Sequence, residues 1–355
     1  MSDQQEPIDT PSRFSRRNLL IGGGIVAAGV AATGLALTTR PKAGATDRRP
    51  VLKIGDQRGN AHALLSGAGV LEDLPYTLEW VELPAAAPLL EALSAGAIDL
   101  GGVGAAPFAF AYANGAPIKV ALASRIVSLD KDAGRSAAIV VRKDSPFRSL
   151  ADLRGRRLAT IRGSAGHDTA LRLLEKAGVD ARAVDFVFLN NNDSKAALAA
   201  GSIDAWSTWG SYVGIAIEED GDRVLADAGS LRQVGAISSF LAANAKSLDA
   251  KEPQLRDFLA RYVRANQWAR ANPEAFAQSL ATSTRVPLSV ARYSAATSTA
   301  AGFSPIDDEI LVQQRRTLTR YLKAGVIDRL PPLDASGYDR RFNDLWPDIA
   351  RPQGA

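Results

Sequence analysis

The sequence predicts an α/β protein of two similar lobes, each a central sheet flanked by helices, with further helices packing onto them at the C-terminal end. Three observations carry that prediction. Short apolar runs alternate with amphipathic segments from Val51 onward, the pattern of strand–helix–strand units with largely parallel sheets. Residues 90–99 (LEALSAGAID) are echoed 105 positions later by residues 195–204 (KAALAAGSID). Each copy reads as a helix, a glycine stop and an Ile-Asp pair opening a strand. Such a junction is common enough to recur by coincidence, but its repetition favours two related lobes. From Ser247 the pattern turns mostly helical.

The elements follow in chain order. Ser15-Arg16-Arg17-Asn18-Leu19-Leu20 is a twin-arginine pattern, followed by a Gly/Ala-rich apolar stretch over residues 19–37. Twin-arginine signals are export addresses in bacteria. The stretch is about long enough to be a permanent membrane anchor. However, Gly22, Gly23, Gly24 and Gly29 dilute its hydrophobicity, and Ala43-Gly44-Ala45 forms an A-x-A cleavage site. The expectation is a signal peptide over residues 1–45, removed after Ala45. Strands are predicted at residues 51–55, 78–83, 98–103, 118–123, 138–142, 158–161 and 185–189, with helices between them. The helix over residues 167–177 places Leu171 and Leu174 on one side and stops at Gly178. Leu255, Phe258, Leu259, Tyr262 and Val263 form an apolar stripe at helical spacing, and residues 310–322 form a second. Pro331-Pro332 ends that run, and residues 338–346 are expected to wrap back onto a lobe. No low-complexity linker divides the chain, so crossing strands should join the lobes.

Composition narrows the chemistry. The chain is 46% hydrophobic and 23% charged over 355 residues, ordinary globular usage. Of its 42 Lys+Arg and 38 Asp+Glu, five bases and three acids fall in residues 1–45. The remainder carries a net charge of +2, with no Lys/Arg run of the kind a nucleic-acid footprint needs. The chain contains no cysteine, which excludes disulfides, thiolate metal sites, a cysteine nucleophile and a lipoprotein anchor. His62 and His167 are the only imidazoles, too few for a multi-histidine metal centre. Neither a P-loop nor a dinucleotide fingerprint is present, so kinase and dehydrogenase readings fail.

Three strand-to-helix junctions are rich in small and polar residues. They are Gly55-Asp56-Gln57-Arg58-Gly59-Asn60-Ala61, Gly101-Gly102-Val103-Gly104-Ala105-Ala106-Pro107 and Arg162-Gly163-Ser164-Ala165-Gly166-His167. Free N–H groups at a helix start bind anions, and glycine lets a ligand approach the backbone. Ligands of open α/β sheets sit at the carboxyl ends of strands, where these loops belong. Many strand-to-helix turns contain glycine for geometry alone; three together favour an anion site. Arg58, Arg125 and Arg162 are candidate charge-assisted donors, with Arg58 and Arg162 inside the loops. His167 either donates to the ligand or caps its helix; His62 reads as structural. Trp206 and Trp209 stand three apart, one expected in the core and the other against an apolar ligand tail.

On these residues the sequence resembles the aliphatic-sulfonate, taurine and nitrate group of periplasmic solute-binding proteins. The matching stretches include Leu52-Lys53-Ile54-Gly55 with Gln57-Arg58-Gly59, Glu91-Ala92-Leu93 through Ile98-Asp99-Leu100-Gly101, and Ser149-Leu150-Ala151-Asp152-Leu153-Arg154-Gly155. Gly163-Ser164-Ala165-Gly166-His167, Asp204-Ala205-Trp206 with Trp209, and residues 235–240, which contain Ser238, continue it. The resemblance runs over about residues 52–241 and implies the type II periplasmic-binding-protein architecture. It implies lobe I over residues 46–140 plus 236–355 and lobe II over residues 141–235, with chain crossings near 138–142 and 235–241. It further implies a monomeric periplasmic protein without catalysis, cofactor or metal, which hands a small organic anion to an ABC permease in the inner membrane. The anion would be gripped by backbone N–H groups of the Asn60, Ala105–Ala106 and Ser164–Gly166 loops. Two departures bear on the ligand. Gly210-Ser211 stands where the resemblance implies Asp-Pro after the second tryptophan, and Ala105 and Ala106 stand where such proteins often carry a polar residue after the glycine loop. Both lighten the wall, so a larger or more apolar ligand, such as an arylsulfonate, is expected.

Rival functions on the same fold are a desulfinase-like enzyme and a pyrimidine-precursor binder. The former resembles aromatic sulfinate desulfinases, whose first-loop cysteine is absent here, where Asn60 and Ala61 stand. The latter would accept a planar amine in place of an anion. A role presenting ligand to a membrane sensor is equally compatible with the sequence.

Overall fold

The computed structural model describes residues 49–128, 135–231, 234–331 and 333–345. The twin-arginine pattern, the A-x-A site, Pro332 and Trp346 lie outside them.

The chain begins with β1 (Val51–Gln57), α1 (Asn60–Gly67), β2 (Thr77–Leu83), α2 (Ala86–Ser94), β3 (Leu100–Gly104), α3 (Ala105–Ala113) and β4 (Ile118–Ile126). A second group follows: β5 (Ala137–Val141), β6 (Arg157–Thr160), α4 (Ala165–Lys176), β7 (Asp185–Phe188), α5 (Asn191–Ala199), β8 (Ala205–Trp209), α6 (Ser211–Glu218) and β9 (Arg223–Asp227). β10 (Ile237–Asn244) leads into α7 (Ala245–Ala250), α8 (Glu252–Ala271), α9 (Pro273–Thr284), α10 (Leu288–Ser298), β11 (Ala301–Ser304) and α11 (Asp308–Lys323). All seven strands predicted from the sequence are present, within a few residues at their ends. β11 interrupts the expected helical tail.

Two sheets result. The first has the order β11-β4-β10-β3-β1-β2 and the second β7-β6-β8-β5-β9. In the first, β1 pairs in parallel with β2 and β3; in the second, β6 pairs in parallel with β7 and β8. The remaining ladders are antiparallel, which corrects the expectation of largely parallel sheets. The reason is how the chain changes lobe. A strand reached by a helical crossover runs parallel to its predecessor. β5 and β10 instead receive the chain directly from the other lobe. They start at the edge where the crossover strands end, and so run against them. β10 slots between β3 and β4, and β5 between β8 and β9. The two sheets are therefore the same device with the reversed strand exchanged.

The repeated Ile-Asp motif explains why both lobes fold alike. Gly96 and Gly201 close α2 and α5 with φ near 71° and 70°, a left-handed conformation in which glycine is unstrained. Each following aspartate then locks onto the strand beside it. Asp99 donates its backbone N–H to the Lys53 carbonyl (2.8 Å) while its carboxylate accepts from the Lys53 N–H (2.8 Å). Asp204 does the same with Arg157 (2.9 and 2.8 Å).

Burial follows the predicted stripes. β5 is buried along its whole length. On α8, Leu255, Phe258, Leu259 and Val263 are buried together with Leu64, Leu65 and Leu241. The C-terminal segment packs back as expected: Tyr338 and Phe342 are buried, and the Asp339 N–H donates to the Val120 carbonyl (2.8 Å). Fully burying side chains of this size is worth roughly 1.5–3 kcal/mol each.

Candidate functional site: a cavity between the lobes

Strands joined by helical crossovers end on a common side, and there a cavity of about 890 Å³ opens between the two sheets. Its wall includes the ends of β1, β3 and β8, the starts of α3 and α4, and the starts of β5 and β10. Of the sequence-predicted site residues, Gln57, Arg58, Asn60, Ala61, Gly104, Ala105, Ala106, Ala165, Trp209 and Ser238 line it.

The first loop is a tight turn. Arg58 and Gly59 both have positive φ (57° and 76°), and a side chain at Gly59 would also crowd the Ser283 carbonyl. Gln57 Nε2 donates to the Gly102 carbonyl (2.6 Å) and Asn60 Nδ2 to the Gln57 carbonyl (2.6 Å), tying this loop to β3 and closing it. The Arg58 guanidinium lies over the Tyr212 ring at 4.3 Å, a cation–π contact that crosses from the first lobe to the second. Its Nη1 is buried with no hydrogen-bond partner among the described residues.

The other donors divide sharply. At α1 the N–H groups of Ala61 and His62 donate to Asp56 (2.8 and 2.9 Å), so a carboxylate of the chain already occupies that helix start. Burial pushes the Asp56 carboxyl above its usual range despite those two donors. The backbone of the Asn60 loop is thus largely committed, a correction to the expected grip. At α3, Gly104 supplies no side-chain cap and Pro107 is the third helical residue. Among the described residues, no side chain caps the Ala105 and Ala106 amides. At α4, Ser164 Oγ accepts from the His167 N–H (3.2 Å).

Six predicted residues do not line the cavity. Gly59 shapes the turn behind it. Ser164 caps α4, and Gly166 packs against the Ser207 carbonyl, which lies 2.6 Å from where a Cβ would be. Trp206 is fully buried in the second lobe's core. His167 is 2% exposed, enclosed by Phe186, Phe188 and Tyr321, and its Nδ1 accepts from the Gly163 N–H (3.1 Å). Burial, then the Arg162 charge, pushes its pKa down to about 4. With Nδ1 accepting, the ring proton sits on Nε2, but the ring is shut inside that aromatic cage and does not line the cavity, so it does not serve the ligand. Arg162 turns outward, donating to the Val326 and Gly325 carbonyls (2.9 and 3.3 Å) and lying over Phe188. Arg125 does reach the cavity, but it is committed to Ser304 Oγ (2.9 Å), the Gly235 carbonyl (3.0 Å) and Asp307.

Sequence reasoning missed the opposite wall. Arg320 of α11 bonds Asp168 of α4 (2.8 Å) and Glu175 (3.2 Å), and Arg172 lies 3.8 Å from Asp168. The Asp168–Arg172 spacing of four was a readable helical ion pair; Arg320 stands too far along the chain to be paired by inspection. Counting ionisable lining groups, Arg58, Arg125, Arg172, Arg316 and Arg320 face Asp56, Asp168 and Glu309. The wall is net positive.

The family model described as NMT1/THI5 like matches residues 79–276. The chain is 30% identical over 269 residues to a putative aliphatic sulfonates-binding protein of Escherichia coli (strain K12), covering 75% of this chain and 82% of that one. It is 31% identical over 220 residues to the taurine-binding periplasmic protein of the same organism, covering 61% and 63%. Among solved structures it is similar to the alkanesulfonate-binding protein SsuA from Xanthomonas axonopodis pv. citri bound to MOPS, with a TM-score of 0.72, 28% identity, and coverage of 82% and 98%. Two lobes, the exchanged strands and a match over more than half its length make this chain a member of the NMT1/THI5-like family, built on the two-lobed periplasmic-binding-protein fold.

Proposed function

We propose that this protein captures a small organic anion, an alkyl- or arylsulfonate, outside the cytoplasm and delivers it to an ABC permease in the inner membrane. One observation carries the reading: the inter-lobe cavity combines a buried Arg58 Nη1, without a hydrogen-bond partner among the described residues, with the uncapped start of α3 on a net positive wall. A sulfonate spreads one negative charge over three oxygens, which suits a guanidinium and the amides of a helix start together. The names of the sequence relatives support the same class of ligand. In this reading Gln57, Arg58, Asn60, Ala105, Ala106, Ala165, Trp209 and Ser238 contact the ligand. Trp209 and Tyr212 offer aromatic faces to an apolar tail, and the small Ala105-Ala106 and Gly210-Ser211 pairs leave room for one. A ligand touching both lobes favours their closed arrangement by its differential affinity. In this reading the chain passes from one lobe to the other ahead of β5 and back ahead of β10. The absence of cysteine supports binding over thiolate catalysis, and the twin-arginine pattern supports export with loss of residues 1–45.

Thermal-shift and calorimetric titration with alkane- and arylsulfonates test the reading. Sulfonates should raise the melting temperature, and Arg58→Met should weaken binding about tenfold or more. No shift with any sulfonate overturns it.

A further inference from the structure

The buried face of α11 consists of Ile310, Gln314, Leu318 and Tyr321. Ile310, Leu318 and Tyr321 join Phe108 and Phe240 in the first lobe's core. Gln314 breaks the stripe. It is 1% exposed, it lines the cavity, and its Oε1 has no hydrogen-bond partner among the described residues. Its neighbour Gln313 is fully engaged: Oε1 accepts from the Ile237 N–H (2.8 Å) and Nε2 donates to the Gly235 carbonyl (3.3 Å). Gln313 therefore tethers the start of β10, whereas the buried Gln314 Oε1 accepts nothing from the described residues. A buried acceptor without a donor is costly, and an apolar side chain would suit that stripe better. The position is explained when a ligand brings the donor.

The cavity wall holds two such orphan atoms of opposite kind, Arg58 Nη1, a charged donor, and Gln314 Oε1, an acceptor. We propose that Gln314 is a specificity-determining residue whose amide oxygen accepts a hydrogen bond from a neutral donor, a hydroxyl or amide N–H, on the body of the ligand. The preferred guest is then an organic anion carrying such a group, not a plain alkane- or arylsulfonate. A cationic ammonium is the poorer donor here because arginines outnumber acids along the wall. The inference rests on the organic-anion reading above and adds to it the second recognition point.

The test uses matched pairs: ethanesulfonate with 2-hydroxyethanesulfonate, and benzenesulfonate with its hydroxylated isomers, each titrated calorimetrically into the wild-type protein and Gln314→Met. The wild type should bind a hydroxylated member about tenfold more tightly than its parent. Gln314→Met should erase that preference, bringing the two members of each pair to within about twofold of one another. In the wild-type protein the Gln314 side-chain amide resonance should also move with the hydroxylated ligand and not with the parent, a readout that does not depend on the variant folding. A preference that survives in Gln314→Met, or an amide resonance that responds alike to both, overturns the role of Gln314 alone. If no member of either pair binds the wild type, the organic-anion reading falls and this inference with it.

Discussion

At His167 the ring is enclosed by Phe186, Phe188 and Tyr321, and its Nδ1 takes the Gly163 N–H. Both circumstances favour the neutral ring, because protonating Nδ1 would abolish that bond and charge a desolvated group. The folded pKa of about 4 lies below the 6.5 of an unperturbed histidine. Between those values the unfolded chain binds a proton that the folded chain refuses, so stability rises with pH across the window. Above pH 6.5 the contribution is fully present; as pH falls to 4 it is lost, to a total of about 3 kcal/mol. His167→Asn keeps a comparable acceptor and removes the titration. Denaturant melts of both proteins between pH 7 and 4 should show the wild type losing more stability by about that amount; parallel pH profiles would contradict the assignment. Such a residue serves the loop that shapes the cavity without touching its contents.

At the scale of elements, the helix–glycine–Ile-Asp unit is the recurring part. In the first lobe Asp99 is nearly buried and also accepts from Ser247 Oγ (2.7 Å) and Lys251 Nζ (2.7 Å). In the second lobe burial pushes the Asp204 carboxyl up, and hydrogen bonds from Arg157 more than offset it, leaving it below the usual carboxylate range. The two clamps should differ in worth. Asp99→Ala removes the acceptor of buried Ser247, half-buried Lys251 and the Lys53 N–H together, and should cost about 2–4 kcal/mol. Asp204→Ala opens a more solvated clamp and should cost about 1–3 kcal/mol. Urea titration of the two variants checks the order; equal losses would mean that the extra partners of Asp99 add nothing.

At the scale of the molecule, α11 reaches from the first lobe to the second. Its Arg320 pairs with Asp168 and Glu175 of α4. Tyr321 Oη donates to the Gly163 carbonyl (3.4 Å), and Arg162 and Arg182 donate to carbonyls just past or at the end of α11. Cations at a helix C-terminus are favoured both by its exposed carbonyls and by its dipole. Arg320 and Asp168 also line the cavity, so the clasp and the ligand site share atoms. Replacing Arg162 and Arg320 together by Met should let the lobes separate. The ligand-free variant should then show a larger radius of gyration by small-angle scattering and bind ligand roughly tenfold more weakly, chiefly through faster release. An unchanged radius with unchanged affinity would leave the clasp without a role in closure.

Local chemistry by itself determined the elements and their repetition. Alternating apolar runs marked β1 to β7, Gly96, Gly178 and Gly201 marked the ends of α2, α4 and α5, and the Ile-Asp echo marked two lobes. Each of those signals is written within about ten residues, where backbone geometry and side-chain periodicity act directly. What only the tertiary structure decided was which loop residues are spent on the chain itself. Asp56 takes the amides of α1, the aromatic cage takes His167, and the ends of α11 take Arg162. Gln314 was invisible in the sequence because its weight comes from being buried with an unused oxygen at the cavity. A hydrogen bond is made or lost across distances that chain order does not encode, so the inventory of donors was legible and their partners were not.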